Sequence, residues 1–154
     1  MKYLKKISVL FALLFAVQVC SAARYQIDGE FNGCEHGKFY PLMGGGILEC
    51  QEYNYFYEYS PEVRTDGREV ITIGSNKISG VIHDGSVVRT RVKDTFEGCD
   101  YNKRIELDNN LLFVCGTYRY TYAYRPEVLI IVIAGRTPEV YIKGEKYSGT
   151  LYRR

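Results

Sequence analysis

Apolar and polar residues alternate in short runs along most of the chain, and few stretches beyond residue 23 carry apolar residues at helical spacing. Tyr, Val, Ile and Thr recur, and Gly interrupts them at short intervals, as in strands joined by tight turns. The pattern predicts an all-β protein with about five strands in each half. The first half gives 24–31, 38–42, 47–59, 69–73 and 77–82. The second gives 87–96, 103–107, 111–125, 127–134 with 140–142, and 146–152. Gly44-Gly45-Gly46 and Asp108-Asn109-Asn110 stand at matching turns; both tolerate the positive φ of a hairpin loop. Gly144-Glu145 closes another hairpin. The run 128–134 holds no polar side chain, which predicts a strand buried on both faces at the contact between the halves. Its counterpart, 64–68, is polar and is expected to be exposed.

The two halves match at a constant offset. Cys50, Tyr53, Tyr55, Tyr57, Tyr59, Pro61, Glu62 and Val63 recur as Cys115, Tyr118, Tyr120, Tyr122, Tyr124, Pro126, Glu127 and Val128. Phe31, Gly33, Cys34, Lys38 and Leu42 recur as Phe96, Gly98, Cys99, Lys103 and Leu107. Between 31–63 and 96–128 there are 13 identities in 33 positions, where random pairing gives roughly 2. After an insertion of four residues in the second copy, Ser79-Gly80 aligns with Ser148-Gly149. The expected organisation is two small β-barrel or meander units, 24–83 and 84–154, joined by a turn at His83-Asp84-Gly85-Ser86.

Residues 1–23 read as a secretory signal peptide. Lys2, Lys5 and Lys6 precede an apolar run, Ile7 to Val19, and Ser21 and Ala23 are the small residues before a cut ahead of Arg24. The run is 13 residues long, short of the ~20 that span a bilayer. Val19 is too bulky to make Cys20 a lipidated cysteine. The mature chain therefore has no expected transmembrane segment and is placed in the periplasm or outside the cell. The segment carries three Lys and no acid, so 17 basic and 18 acidic residues remain after it. That balance removes any electrostatic case for nucleic acid.

Four cysteines stay in the exported chain, where oxidation is expected. Four allow three pairings. A unit that once stood alone must bond within itself, which selects Cys34–Cys50 and Cys99–Cys115, each spaced by sixteen. No tight Cys-x-x-Cys pair favours zinc, and no cofactor is expected.

The tyrosine ladders are the candidate binding residues. Side chains alternate across a strand, so Tyr53, Tyr55, Tyr57 and Tyr59 share one face, as do Tyr118, Tyr120, Tyr122 and Tyr124. The opposite face differs: Asn54, Phe56, Glu58 and Ser60 against Arg119, Thr121, Ala123 and Arg125. Drift of that kind suggests a solvent face. With Trp absent, the favoured expectation puts the ladder rings in the core. The competing one makes them a stacking platform. A bulge at Gly116 or Gln51 would bring the cysteine onto the tyrosine face. Glu62 and Glu127 are expected in turns as acceptors for backbone amides, and Lys38 and Lys103 beside Glu35 and Asp100.

The Phe-x-Gly-Cys and Tyr-x-Tyr-x-Tyr-x-Tyr-x-Pro-Glu-Val elements resemble uncharacterised exported tandem-repeat proteins of Gram-negative bacteria over the mature chain. Each unit resembles a small SH3-like barrel. Neither resemblance implies an activity. Ser148-Gly149-Thr150-Leu151-Tyr152 also resembles the Ser-Gly-x-x-Tyr element of periplasmic lysozyme inhibitors, and Ser79-Gly80 matches its first half. His36 and His83 are the two histidines, neither at metal-ligand spacing; no nucleophile elbow or phosphate loop is present. The expected function is non-enzymatic binding of an envelope glycan or a secreted protein through the tyrosine faces. The alternatives are a structural envelope-assembly role with a purely packing ladder, or inhibition of a secreted hydrolase such as lysozyme.

Overall fold

The structure, a computed structural model, describes residues 23–65 and 70–154. The expected signal peptide, apart from Ala23, lies outside these residues. Among the described residues there are seventeen strands and no helix. The first half runs β1 (Arg24–Gln26), β2 (Glu30–Cys34), β3 (Phe39–Pro41), β4 (Ile47–Cys50), β5 (Asn54–Tyr59), β6 (Glu62–Thr65), β7 (Val70–Ile73) and β8 (Asn76–His83). The second runs β9 (Gly85–Arg91), β10 (Thr95–Phe96), β11 (Arg104–Glu106), β12 (Leu111–Cys115), β13 (Ala123–Tyr124), β14 (Glu127–Ile133), β15 (Glu139–Ile142), β16 (Glu145–Tyr147) and β17 (Gly149–Arg153).

Each half divides into a ring of strands and a separate hairpin. In the first, neighbours run β1-β6-β7-β8-β4-β3, and a bridge from Ile27 to Leu42 joins the two ends into a small barrel. In the second, β9-β14-β15-β16 and β17-β12-β11 form the same ring, joined at Val92 and Leu107. The long strand β8 serves both β7 and β4; its counterpart breaks at Ser148 into β16 and β17. Outside each ring, β2 pairs with β5, and β10 with β13.

The expected continuous strands 47–59 and 111–125 are therefore each two elements. Their first parts, β4 and β12, belong to the rings. Their second parts carry the tyrosines: Tyr55, Tyr57 and Tyr59 on β5 and Tyr124 on β13, with Tyr53 just before β5 and Tyr118, Tyr120 and Tyr122 in the irregular segment that leads to β13. The cysteines sit at this joint: Cys34 ends β2 and Cys50 ends β4, and they are bonded, as are Cys99 and Cys115. Both pairs are those expected from the spacing. A cross-link closing a loop of this size stabilises by ~3 kcal/mol in the chain-entropy model, and here it fastens hairpin to barrel.

The cores are separate. Ile27, Phe31, Leu42, Leu48, Val63, Ile71, Ile73 and Ile78 pack in the first half. Val92, Phe96, Leu107, Phe113, Val128, Ile130, Val140, Ile142 and Tyr147 pack in the second. A third cluster joins them, with Phe39 and Ile47 from the first half against Ile131 and Ile133 from the second. β14 thus buries Val128 and Ile130 in its own barrel and Ile131 and Ile133 at the contact, as its run of apolar residues requires. Polar bonds flank this contact. Arg89 donates to Asp28 at 2.8 Å, and Arg136 to Glu49 at 2.9 Å. The expected four-residue turn between the halves is shorter. Only Asp84 separates β8 from β9. Residues 62–65, expected as loop, form β6 with Val63 buried against the core; 66–68 lie outside the described residues.

Candidate functional site

The two tyrosine faces are built by a glycine, a lysine and a proline that recur in both copies. Gly33 has φ +86° in the register shift between Asn32 and Cys34, and a Cβ there would press on the Asn54 carbonyl and the Tyr55 backbone. Gly98, at φ +78°, would do the same to the Arg119 carbonyl and Tyr120. The bulge is therefore in the strand beneath the ladder, at Gly33, and not at Gly116 or Gln51. Only a residue without Cβ lets the ladder strand cross so closely. Lys38 donates to the Asn32 carbonyl at 3.3 Å and to its side-chain oxygen at 2.7 Å; Lys103 donates to the equivalent carbonyl, of Glu97, at 3.4 Å. The lysines cap backbone carbonyls, in place of the solvated position expected beside Glu35 and Asp100. Partial burial lowers the Lys38 pKa, opposed by the nearby Glu35 carboxylate. The Pro61 and Pro126 carbonyls accept from the Ile27 and Val92 amides at 3.1 and 3.0 Å, which ties the end of each ladder to its barrel.

All eight ladder rings are exposed. Tyr53, Tyr55, Tyr57 and Tyr59 show 74, 76, 62 and 72% of their surface, and Tyr118, Tyr120, Tyr122 and Tyr124 show 68, 75, 62 and 76%. The core expectation is overturned. The buried aromatics among the described residues are instead Phe31, Phe96 and Phe113, each fully enclosed, with Phe39, Tyr40 and Tyr147. The opposite face, expected in solvent, is the half-buried one in the first copy. Phe56 lies there with its ring centroid 4.6 Å from that of Phe31. In the second copy Thr121 replaces Phe56, and Tyr147 of β16 supplies the ring, edge-on to Phe96 at 5.5 Å. Arg119 covers Tyr147 at 5.6 Å and pairs with Glu145. In the second copy Arg119 and Arg125 are exposed and Thr121 and Ala123 half-buried, so water covers only part of the drifted face.

Beside the first ladder, Glu30 and Asn32 stand directly across from Tyr59 and Tyr57. Local desolvation, and then the nearby Glu30 carboxylate, push the Tyr57 phenol up. Glu62 and Glu127 begin β6 and β14, where Glu62 accepts from Arg64 at 2.6 Å and Glu127 from Arg89 at 3.2 Å. They hold side-chain cations in place of the expected backbone amides.

A cleft of about 600 Å³ opens between the two halves. Phe39, Tyr40, Leu129 and Tyr141 line it together with Glu30, Lys38, Arg89 and Lys143, and Tyr124 is the one ladder ring that reaches it. The Tyr40 hydroxyl donates to the Gly33 carbonyl, and burial raises its pKa. Burial, then Glu139, then Tyr40 itself raise that of Tyr141. The sequence reading missed this cleft. The sign it left is asymmetry: Tyr40 stands where the other copy has Ile105, and Tyr141 where it has Thr72.

The Ser-Gly pairs are structural. Gly80 and Gly149 lie opposite the buried cysteines Cys50 and Cys115. A Cβ on Gly149 would collide with the Val114 carbonyl and the Phe113 ring. The Ser79 and Ser148 carbonyls accept from the Gln51 and Gly116 amides. Among the described residues no group of three or more His, Cys, Asp or Glu is placed to hold a metal ion, and no helix is long and apolar enough to cross a membrane. Comparison with protein-family models, with curated proteins and with solved structures gives no match.

Proposed function

We propose that the chain is an exported, non-catalytic binding protein whose two tyrosine-faced hairpins grip an extended glycan of the cell envelope. The observation that carries this reading is the exposure of all eight recurring tyrosines, each at least 62% open. Large aromatic rings normally leave water, and a contiguous row of them on a monomer surface marks an interaction site. Tyr55, Tyr57 and Tyr59 share one strand face, where successive rings lie ~7 Å apart, and Tyr offers wide contact area with few rotatable bonds. Beside the first row Glu30 supplies acceptors for hydroxyl groups and the Asn32 side-chain amide supplies donors, its oxygen being held by Lys38 and Tyr40. Two platforms on one chain raise overall avidity when both engage one polymer. Two disulfides suit an oxidising compartment. The inhibitor alternative keeps only a weak sequence argument, because close packing beside the disulfides accounts for the glycines of Ser79-Gly80 and Ser148-Gly149.

Retention on insoluble peptidoglycan, cellulose and chitin tests the reading. Tyr55→Ala with Tyr57→Ala, and Tyr120→Ala with Tyr122→Ala, are expected to fold normally, since these rings are exposed. Each pair of changes is expected to weaken retention at least about tenfold, about 1.4 kcal/mol, and the four together by more. Retention on none of the polymers, or retention untouched by the four changes, would refute it.

A further inference from the structure

We infer that the cleft between the halves binds one or two residues of a neutral sugar chain, held between the two ladders. The inference rests on the glycan reading above and names the place where a chain running from one ladder to the other is gripped. Glu30, directly across from Tyr59 of the first ladder, lines the cleft on one side, and Tyr124, the last ring of the second ladder, on the other. The cleft therefore connects two aromatic rows that the sequence presents as separate copies. Its volume, about 600 Å³, falls in the range of small-molecule sites.

The chemistry of its walls selects the ligand. Phe39, Tyr40, Leu129 and Tyr141 give an apolar floor drawn from both halves, suited to the C–H face of a pyranose ring. The charges above it are already compensated. Arg89 donates to Asp28 at 2.8 Å and to Glu127 at 3.2 Å, so three charges of mixed sign form one bridge across the halves. With Glu30, Lys38 and Lys143 the lining carries three acids and three bases, so its net charge is zero and it favours neither an anionic nor a cationic ligand. A carboxylate accepts about four hydrogen bonds, so Asp28 and Glu127 retain acceptor sites for hydroxyls while bonded to Arg89. Lys38 and Lys143 add donors on the rim. A peptide added as a strand is disfavoured. The carbonyl of Asn32, on the β2 edge facing the cleft, is taken by Lys38.

Cellotetraose, chitotetraose and maltotetraose, each up to about 10 mM, a concentration that detects binding as weak as about −3 kcal/mol, serve as probes for the full oxidised chain by nuclear magnetic resonance. At least one is expected to shift the resonances of Leu129, Tyr141 and Tyr124 together. Leu129→Trp, which fills the floor, is expected to weaken that binding at least about tenfold, and Tyr101→Ala, on an exposed ring outside both ladders, to leave it unchanged. Should Leu129→Trp fail to fold, the shift map on the unaltered chain decides. Shifts confined to Tyr53–Tyr59 or Tyr118–Tyr122 overturn the cleft and leave the platforms standing. No shift from any probe overturns it too, whatever polymer retention shows. Cleft shifts with polymer retention indifferent to the ladder changes support the cleft and remove the platforms.

Discussion

At the residue scale, the positions that recur are those that let one strand cross another. Gly33 and Gly98 lie under the ladder strands, Lys38 and Lys103 cap the carbonyls beside them, and Pro61 and Pro126 end the ladders against the barrels. Gly98 allows a clean comparison. Its φ of +78° is close to the +76° of Gly135, but Gly135 has open space around it, whereas Gly98 has the Arg119 carbonyl and the Tyr120 backbone above. Both Gly→Ala changes cost the left-handed penalty of about 1–2 kcal/mol. Gly98→Ala must also push the ladder strand away, so it is expected to lose about 2 kcal/mol more in urea denaturation, within the range of overpacking. Equal losses would show that the close crossing carries no energy. The sequence revealed that these residues matter in both copies. It could not reveal why, since a glycine kept for φ and one kept for proximity look alike in a single chain.

At the element scale, the disulfides and the all-β class were legible because each follows from local spacing. The burial of the ladder was not. Alternation tells which residues share a face but not which face meets the core, and that depends on strands far away in sequence. The drifted face misled for a physical reason: in the first copy Phe56 packs on Phe31, and in the second, where Thr121 stands in its place, the ring beside Phe96 is Tyr147 from another strand. Such exchanges are invisible residue by residue and plain once strands are paired. The exchange is testable by reversal. Thr121→Phe alone is expected to cost about 1–3 kcal/mol by overpacking, and Tyr147→Ile alone a similar amount by the cavity left on Phe96. Together they rebuild the first-copy arrangement, so the double variant is expected to be more stable than the sum of the single losses by at least about 1 kcal/mol, a coupling a thermodynamic cycle reads directly. Strict additivity would count against a shared site. The bond at the hairpin joint has its own signature. Replacing Cys99 and Cys115 by Ala is expected to cost ~3 kcal/mol and to speed amide exchange of Thr95, Phe96 and Ala123 more than that of the ring strands. A uniform change would mean that the bond does not set the hairpin apart.

At the scale of the whole molecule, the halves meet through Phe39, Ile47, Ile131 and Ile133, and the polar link at its edge passes through Glu49. Glu49 takes hydrogen bonds from Arg136 of the second half at 2.9 Å and shares one of 2.6 Å with His83 of the first. Burial raises its pKa, but the bonds to His83 and Arg136 outweigh that and hold the carboxyl below its usual range. A carboxylate with a depressed folded pKa contributes stability above its unfolded pKa, and the contribution disappears as pH falls through the folded value. Glu49→Gln removes it. The variant is expected to be less stable than the natural chain by about 1–3 kcal/mol at pH 7, the scale of hydrogen bonds to a charged group. The gap is expected to narrow as pH drops below about 4, where an ordinary glutamate begins to protonate. Arg136→Ala should produce a smaller gap with the same pH dependence, because His83 still holds the carboxylate. Urea titrations of the three proteins between neutral and acid pH measure this directly. A gap that stayed constant with pH would mean that Glu49 acts by packing alone, and would leave Arg89 with Asp28 as the charged link between the halves.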